Sequence, residues 1–114
     1  MKAQLWIKLT FPGVGQAGPG KVALLRKIEE HRSISAAARA MGMSYRRAWL
    51  LVEELNGIFE RPVVEKWHGG RSKGGARLTE FGAQFLARYD ELVARSNDAN
   101  RTLLKALGRS VRRR

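Results

Sequence analysis

The chain has 114 residues, no cysteine and a formal net charge of +12, from 22 Lys and Arg against 10 Asp and Glu. That length fits one domain around one core, and the missing cysteines exclude disulfides and thiolate metal sites. A charge of that size on so small a body favours a polyanionic partner, nucleic acid first and an anionic membrane second. No stretch approaches the ~20 apolar residues of a membrane span. Lys8 interrupts the N-terminal apolar run before it could serve as a signal peptide. The expected location is therefore cytoplasmic, with no membrane partner.

Leu5–Phe11 alternates apolar and polar residues and reads as a strand, with Leu5, Ile7, Leu9 and Phe11 on one face. Pro12 ends it. Gly13-Val14-Gly15-Gln16-Ala17-Gly18 then matches the G-x-G-x-x-G pattern of dinucleotide-binding folds. The match lacks its context, because Glu29 and Glu30 come too early for the ribose acid and no second parallel strand follows. A flexible connector is expected instead, and no cofactor. Pro19 suits a helix first turn. Val22, Leu24, Leu25 and Ile28 give that helix an apolar stripe reaching about His31. His31 reads as a helix-end residue, since the other histidine, His68, is remote in sequence and the two make a weak metal case.

Ser33–Asn56 reads as two helices joined at Gly42, the marks of a helix-turn-helix. Ser35 and Ser44 are the expected N-caps, each with a hydroxyl able to accept an orphan backbone N–H. Ala37, Ala38 and Met41 share a face of the first helix, and Ala48, Leu51, Val52 and Leu55 share one of the second. Gly42 can take the positive φ that ends the first helix. Asn56-Gly57 is expected to stop the second. A plain helical hairpin would share the alanines, but the order of small residue, Gly turn, Ser cap and paired Arg favours DNA binding.

Val63–His68 and Ala76–Thr79 are strand candidates flanking the basic, Gly-rich stretch Gly69–Gly75, which together predict a β-hairpin wing. The first strand of the chain could join them as a third member. Thr79 is the expected N-cap of the last helix, whose stripe is Phe81, Phe85, Leu86, Tyr89, Leu92 and Val93. Ser96–Asn100 is polar and a poor helix former, which allows a kink or break before Leu103, Leu104 and Leu107. That surplus apolar face suggests a homodimer through the C-terminal helix. Arg109 and Arg112–Arg114 form a basic tail.

The expected fold is mostly α with a small antiparallel β-sheet, a winged helix-turn-helix with a long C-terminal helix. Residues 1–95 would form the DNA-binding domain and 96–114 a helical extension with the basic tail, with no separate effector domain. Ser33–Ala38, Gly42–Trp49, Glu65-Lys66 before the Gly-rich loop, and Leu78-Thr79-Glu80-Phe81-Gly82 resemble the N-terminal domain of the molybdenum-responsive ModE-type transcriptional regulators. More distantly the chain is similar to the LysR-type DNA-binding domain. The resemblance covers roughly Leu5 to Val93 and implies dimeric, sequence-specific operator binding. It also implies a separate molybdate-binding domain, for which the sequence up to Arg114 has no room, so molybdate binding is not expected.

A recognition helix enters the major groove with its first turns, which puts Ser44, Tyr45, Arg46 and Arg47 nearest the base edges and flanking phosphates of double-stranded DNA. Ser35 starts a helix that can face phosphate. Arg71, Lys73 and Arg77, and more weakly Lys66, are wing candidates for the backbone or minor groove. Trp49 is expected to pack between elements and not to touch DNA. A non-specific architectural nucleic-acid-binding protein is the alternative. No cysteine nucleophile, clustered carboxylates or Ser/His/Asp arrangement points to an enzyme.

Overall fold

Val22, Leu24, Leu25 and Ile28 all lie buried on one face of helix α1 (Pro19–His31) in the computed structural model, which describes residues 2–68 and 74–113. That face packs on α2 (Ile34–Ala40) and α3 (Tyr45–Ile58). Seven residues are too few for an isolated helix to persist in water, where roughly 12–15 are needed. Tertiary burial of Ile34, Ala37 and Ala38 therefore holds α2 in place. The two alanines let α2 approach its neighbours closely. Gly42, at φ +68°, turns the chain after α2, and Met43 N–H donates back to the Ala38 carbonyl at 3.0 Å.

The cap of α2 corrects one expectation. Ser33, not Ser35, has the extended N-cap backbone, and its hydroxyl accepts from Ala36 N–H at 3.0 Å. Ser35 lies two residues later, inside the first turn and exposed. The αL conformation of Arg32 (φ 54°) closes α1 and brings Ser33 to the cap position.

The N-terminal strand also differs. Only Leu9–Phe11 forms a ladder, β1, and its partner is β2 (Gly15–Ala17), antiparallel with Leu9 opposite Ala17. The glycine-rich run is therefore a hairpin turn and strand, not a flexible connector: Val14 N–H donates to the Phe11 carbonyl at 2.8 Å, and Ala17 is fully buried. This pairing keeps β1 apart from the wing, so the described residues hold two separate two-stranded sheets and not one of three strands. The second sheet pairs β3 (Val64–Trp67) with β4 (Gly75–Leu78), Lys66 opposite Ala76. Ahead of β1 the chain runs along α4 (Glu80–Ala99). Tyr89 donates its hydroxyl hydrogen to the Ile7 carbonyl, and the Asn97 side chain accepts from Leu5 N–H at 2.7 Å and donates to its carbonyl at 3.2 Å. The alternation Leu5, Ile7, Leu9, Phe11 still faces inward, with Trp6 outside.

Asn56 does not stop α3, which continues to Ile58. Its side chain turns inward instead, accepting from the amides of Val63 and Val64 and donating to the Val64 carbonyl. Phe59 follows and stacks edge-on with Phe11 and Phe81, tying the first hairpin to α4. Thr79 caps α4 as expected, accepting from Gly82 N–H at 2.8 Å while its own hydroxyl donates to the Pro62 carbonyl. The helix runs through residue 95, the boundary expected between domain and extension, and breaks at Asn100 before α5 (Arg101–Arg109). Arg26 of α1 bridges to Asp90 of α4, and the hydrogen bond to that carboxylate holds the guanidinium above its ordinary pKa.

Gly82 is fixed by space. A Cβ there would sit 2.1 Å from the Val63 carbonyl oxygen. Gly82→Ala is expected to cost about 1–3 kcal/mol through overpacking, read as a lower urea midpoint by circular dichroism. Gly20→Ala, where a Cβ meets nothing within 4 Å, is the control and should lose nothing.

Candidate nucleic-acid interface

The second helix of the helix-turn-helix starts at Ser44, whose hydroxyl accepts from Arg47 N–H at 3.1 Å. This leaves the first turn of α3 ordered and its end dipole pointed at solvent. Ala48, Val52 and Leu55 are the inward face. Tyr45, Arg46 and Arg47 are exposed beside it, and Arg46, two residues before Ala48, points away from the core. Among the described residues, neither arginine is in an ion pair. Both guanidiniums therefore keep their full donor set for an external acceptor.

The wing is anchored beside that turn. Ala76 N–H of β4 donates to the Arg32 carbonyl at 3.2 Å, linking the wing to the corner between α1 and α2. Gly75 leaves no room for a side chain, because a Cβ would fall 2.5 Å from the Trp67 ring. Beside it a cavity of about 150 Å³ brings Ser35, Tyr45, Lys66, Trp67 and His68 together. Three of the expected site residues, from α2, α3 and β3, thus share one concave patch. Arg71 and Lys73 lie outside the described residues.

Lys66 and Arg77 are not bare charges. Lys66 is paired with Glu53 of α3, and its ammonium sits 4.7 Å from the centre of the Trp49 ring. Only 19% of its side chain is exposed. Arg77 is paired with Glu65 on the opposite strand at 3.1 Å, with its guanidinium 5.9 Å from the Trp67 ring. Its side chain is 59% exposed, so this pair is worth little in water and can be exchanged for another anion. Trp49 packs against Lys66 while staying partly exposed. Sequence reading missed Glu53 and Trp67. The signal for Glu53 was its i+4 spacing from Trp49, which puts both on one stripe of α3.

Residues 20–83, more than half of the chain, match the family model described as bacterial regulatory helix-turn-helix protein, lysR family. The chain belongs to that family. Its sequence is 39% identical over 102 residues to the molybdenum-pterin-binding protein MopA of Rhodobacter capsulatus, covering 90% of this chain and 36% of that protein. It is 35% identical over 103 residues to the transcriptional regulator ModE of Yersinia pestis, covering 90% of this chain and 39% of that one. The DNA-binding transcriptional dual regulator ModE of Escherichia coli K12 is 36% identical over 93 residues, covering 82% of this chain and 36% of the relative. The chain thus spans well under half the length of these relatives. In fold it is similar to a crystal structure of a LysR family transcriptional regulator, at a TM-score of 0.56 and 18% identity, over 76% of this chain and 28% of that one. The ModE-type resemblance and the winged helix-turn-helix fold are both borne out.

The caps of this lysR-family helix-turn-helix give a stability test that separates the three serines. Ser33→Ala and Ser44→Ala should each cost about 1 kcal/mol, measured by chemical unfolding. Ser35→Ala should leave stability nearly unchanged, and an equal loss at Ser35 would return the cap to that residue.

Proposed function

We propose that the chain binds double-stranded DNA sequence-specifically as a transcriptional regulator, with α3 in the major groove and the wing on the backbone or minor groove. The observation that carries this reading is the capped first turn of α3, with Arg46 and Arg47 exposed and unpaired among the described residues. Arg can bond G O6 and N7 in a bidentate fork worth about 1–3 kcal/mol of discrimination. Ser44 and Tyr45 precede the pair at the same helix start, Ser35 faces the neighbouring phosphate, and Arg77 can leave Glu65 for the DNA backbone. Arg71 and Lys73 complete the wing's set by sequence. The relatives' names include DNA-binding regulators, which supports the same reading. The molybdenum in the name of the Rhodobacter capsulatus relative describes a protein that this chain matches over only part of its length, and no molybdate site is assigned to this chain.

The second part of the proposal is a homodimer through the C-terminal helices. Leu92, Leu103, Leu107 and Val111 are 45%, 66%, 65% and 44% exposed, and the last three recur at four-residue spacing as an apolar row that starts on α5. A second copy would cover this row and place two recognition helices on one duplex. The alternative, an architectural protein that uses charge without sequence choice, is favoured by the net charge of +12 alone.

Selection of bound fragments from random duplex DNA tests both parts, since a palindrome would report specificity and a two-fold dimer together. Enrichment of nothing above background would instead support the architectural reading. On the selected operator, Arg46→Ala or Arg47→Ala should weaken binding by about tenfold or more, against little change for Arg113→Ala in the tail. Equal small losses at all three would sink the assignment of the recognition helix. Log affinity should fall linearly with log salt, by about 0.9 for each phosphate neutralised.

A further inference from the structure

We propose that Lys66 is a positioning residue that locks the wing to the recognition helix, in place of the phosphate contact expected of it. The inference rests on the DNA-binding reading above. Lys66 lies mid-strand in β3, opposite Ala76 of β4. Its ammonium reaches across to α3, where it pairs with Glu53 and sits over the face of Trp49 at 4.7 Å. Glu53 and Trp49 are one turn apart on α3, so the ammonium is held on two sides by the same helix. The Lys66 side chain is only 19% exposed, which strengthens its contact with the Trp49 ring, while Glu53 is 41% exposed, so that ion pair is partly screened by water.

A phosphate ligand needs its charge free and pointed outward, and Lys66 has neither property. A lock needs one partner on each of two elements, and that is the observed arrangement. Asn56 already clamps the start of β3 to the end of α3 by three hydrogen bonds. Asn56 is one turn beyond Glu53, so Lys66 adds a second attachment point further along the strand. The Ala76 N–H bond to the Arg32 carbonyl holds β4 to the corner between α1 and α2, and Lys66 is what ties the middle of β3 to α3 itself. On duplex DNA the angle between β3 and α3 sets the span between the groove read by α3 and the backbone touched by the wing. Random duplex tolerates small changes in this span because its phosphates are everywhere equivalent, whereas an operator does not.

The test uses the full chain, its selected operator and a random duplex, each over a salt series. Lys66→Met should weaken operator binding about fivefold to tenfold, with random-duplex affinity and both salt slopes unchanged. Lys66→Arg should restore the operator affinity, and Glu53→Gln should reproduce the loss. A phosphate ligand behaves oppositely: Lys66→Met would weaken both duplexes and lower the slope by about 0.9, and Glu53→Gln would tighten binding by freeing the ammonium. Either result overturns the proposal. The Trp49 indole N–H resonance gives a readout without DNA, and it should shift on Glu53→Gln in a chain whose circular dichroism is unaltered. If the wild-type chain shows no preference between duplexes, the proposed function fails by itself. The lock is then judged on that resonance, and an unmoved signal overturns it.

Discussion

The backbone around Val63 is the joint on which the rest of the molecule depends. Its amide is taken by the Asn56 side chain at 2.8 Å and its carbonyl by Thr79 N–H at 3.0 Å. The same carbonyl lies against Gly82, in space that a single methyl would fill. One residue therefore joins the end of α3, the start of β3 and the first turn of α4. Each of its polar groups has a partner inside the protein, as a buried backbone requires. The wing leaves from this joint, and its direction relative to the recognition helix is inherited from it.

Charge is distributed on that frame with a clear division. The cations on the first turn of α3 stand without carboxylates among the described residues. The two described wing cations proposed from sequence each have a glutamate and a tryptophan beside them. The two wing arrangements look alike but differ in exposure, and exposure decides what they do. Half-buried Lys66 is held by helix and ring, so its charge serves the protein. Exposed Arg77 gains little from Glu65, since an ion pair in water is screened and costs side-chain freedom. The net charge of +12 favours a polyanionic partner, and the arrangement of pairs sets which cations stand without a carboxylate among the described residues.

Much of the fold was legible because periodicity speaks for burial. Val22, Leu24, Leu25 and Ile28 announced the buried face of α1, and Ala48, Val52 and Leu55 that of α3. The helix-turn-helix, the turn at Gly42, the cap at Thr79 and the hairpin wing followed from local chemistry. Two misreadings came where a short polar residue had two possible jobs. Ser33 and Ser35 can both cap, and only the αL turn at Arg32 chooses between them. Asn56 looks like a helix stop, yet it serves as a clamp to residues not far along the chain. The glycines at 13 and 15 suggested looseness, but one makes a tight turn and the other packs on Ile58. Within the candidate site, the exposed arginines of α3 were readable from spacing. The pairing of Lys66 with Glu53 was not, because residues 13 apart in sequence meet only once β3 is folded back on α3.

Asn97 has a consequence of its own. Leu5 to Phe11 is a run of alternating apolar residues, the kind that recruits a neighbouring molecule when its backbone is left open. At Leu5 both backbone groups are occupied by one carboxamide from α4, which imitates the adjoining strand. A single side chain thereby satisfies both backbone groups of Leu5 ahead of the ladder, which begins only at Leu9.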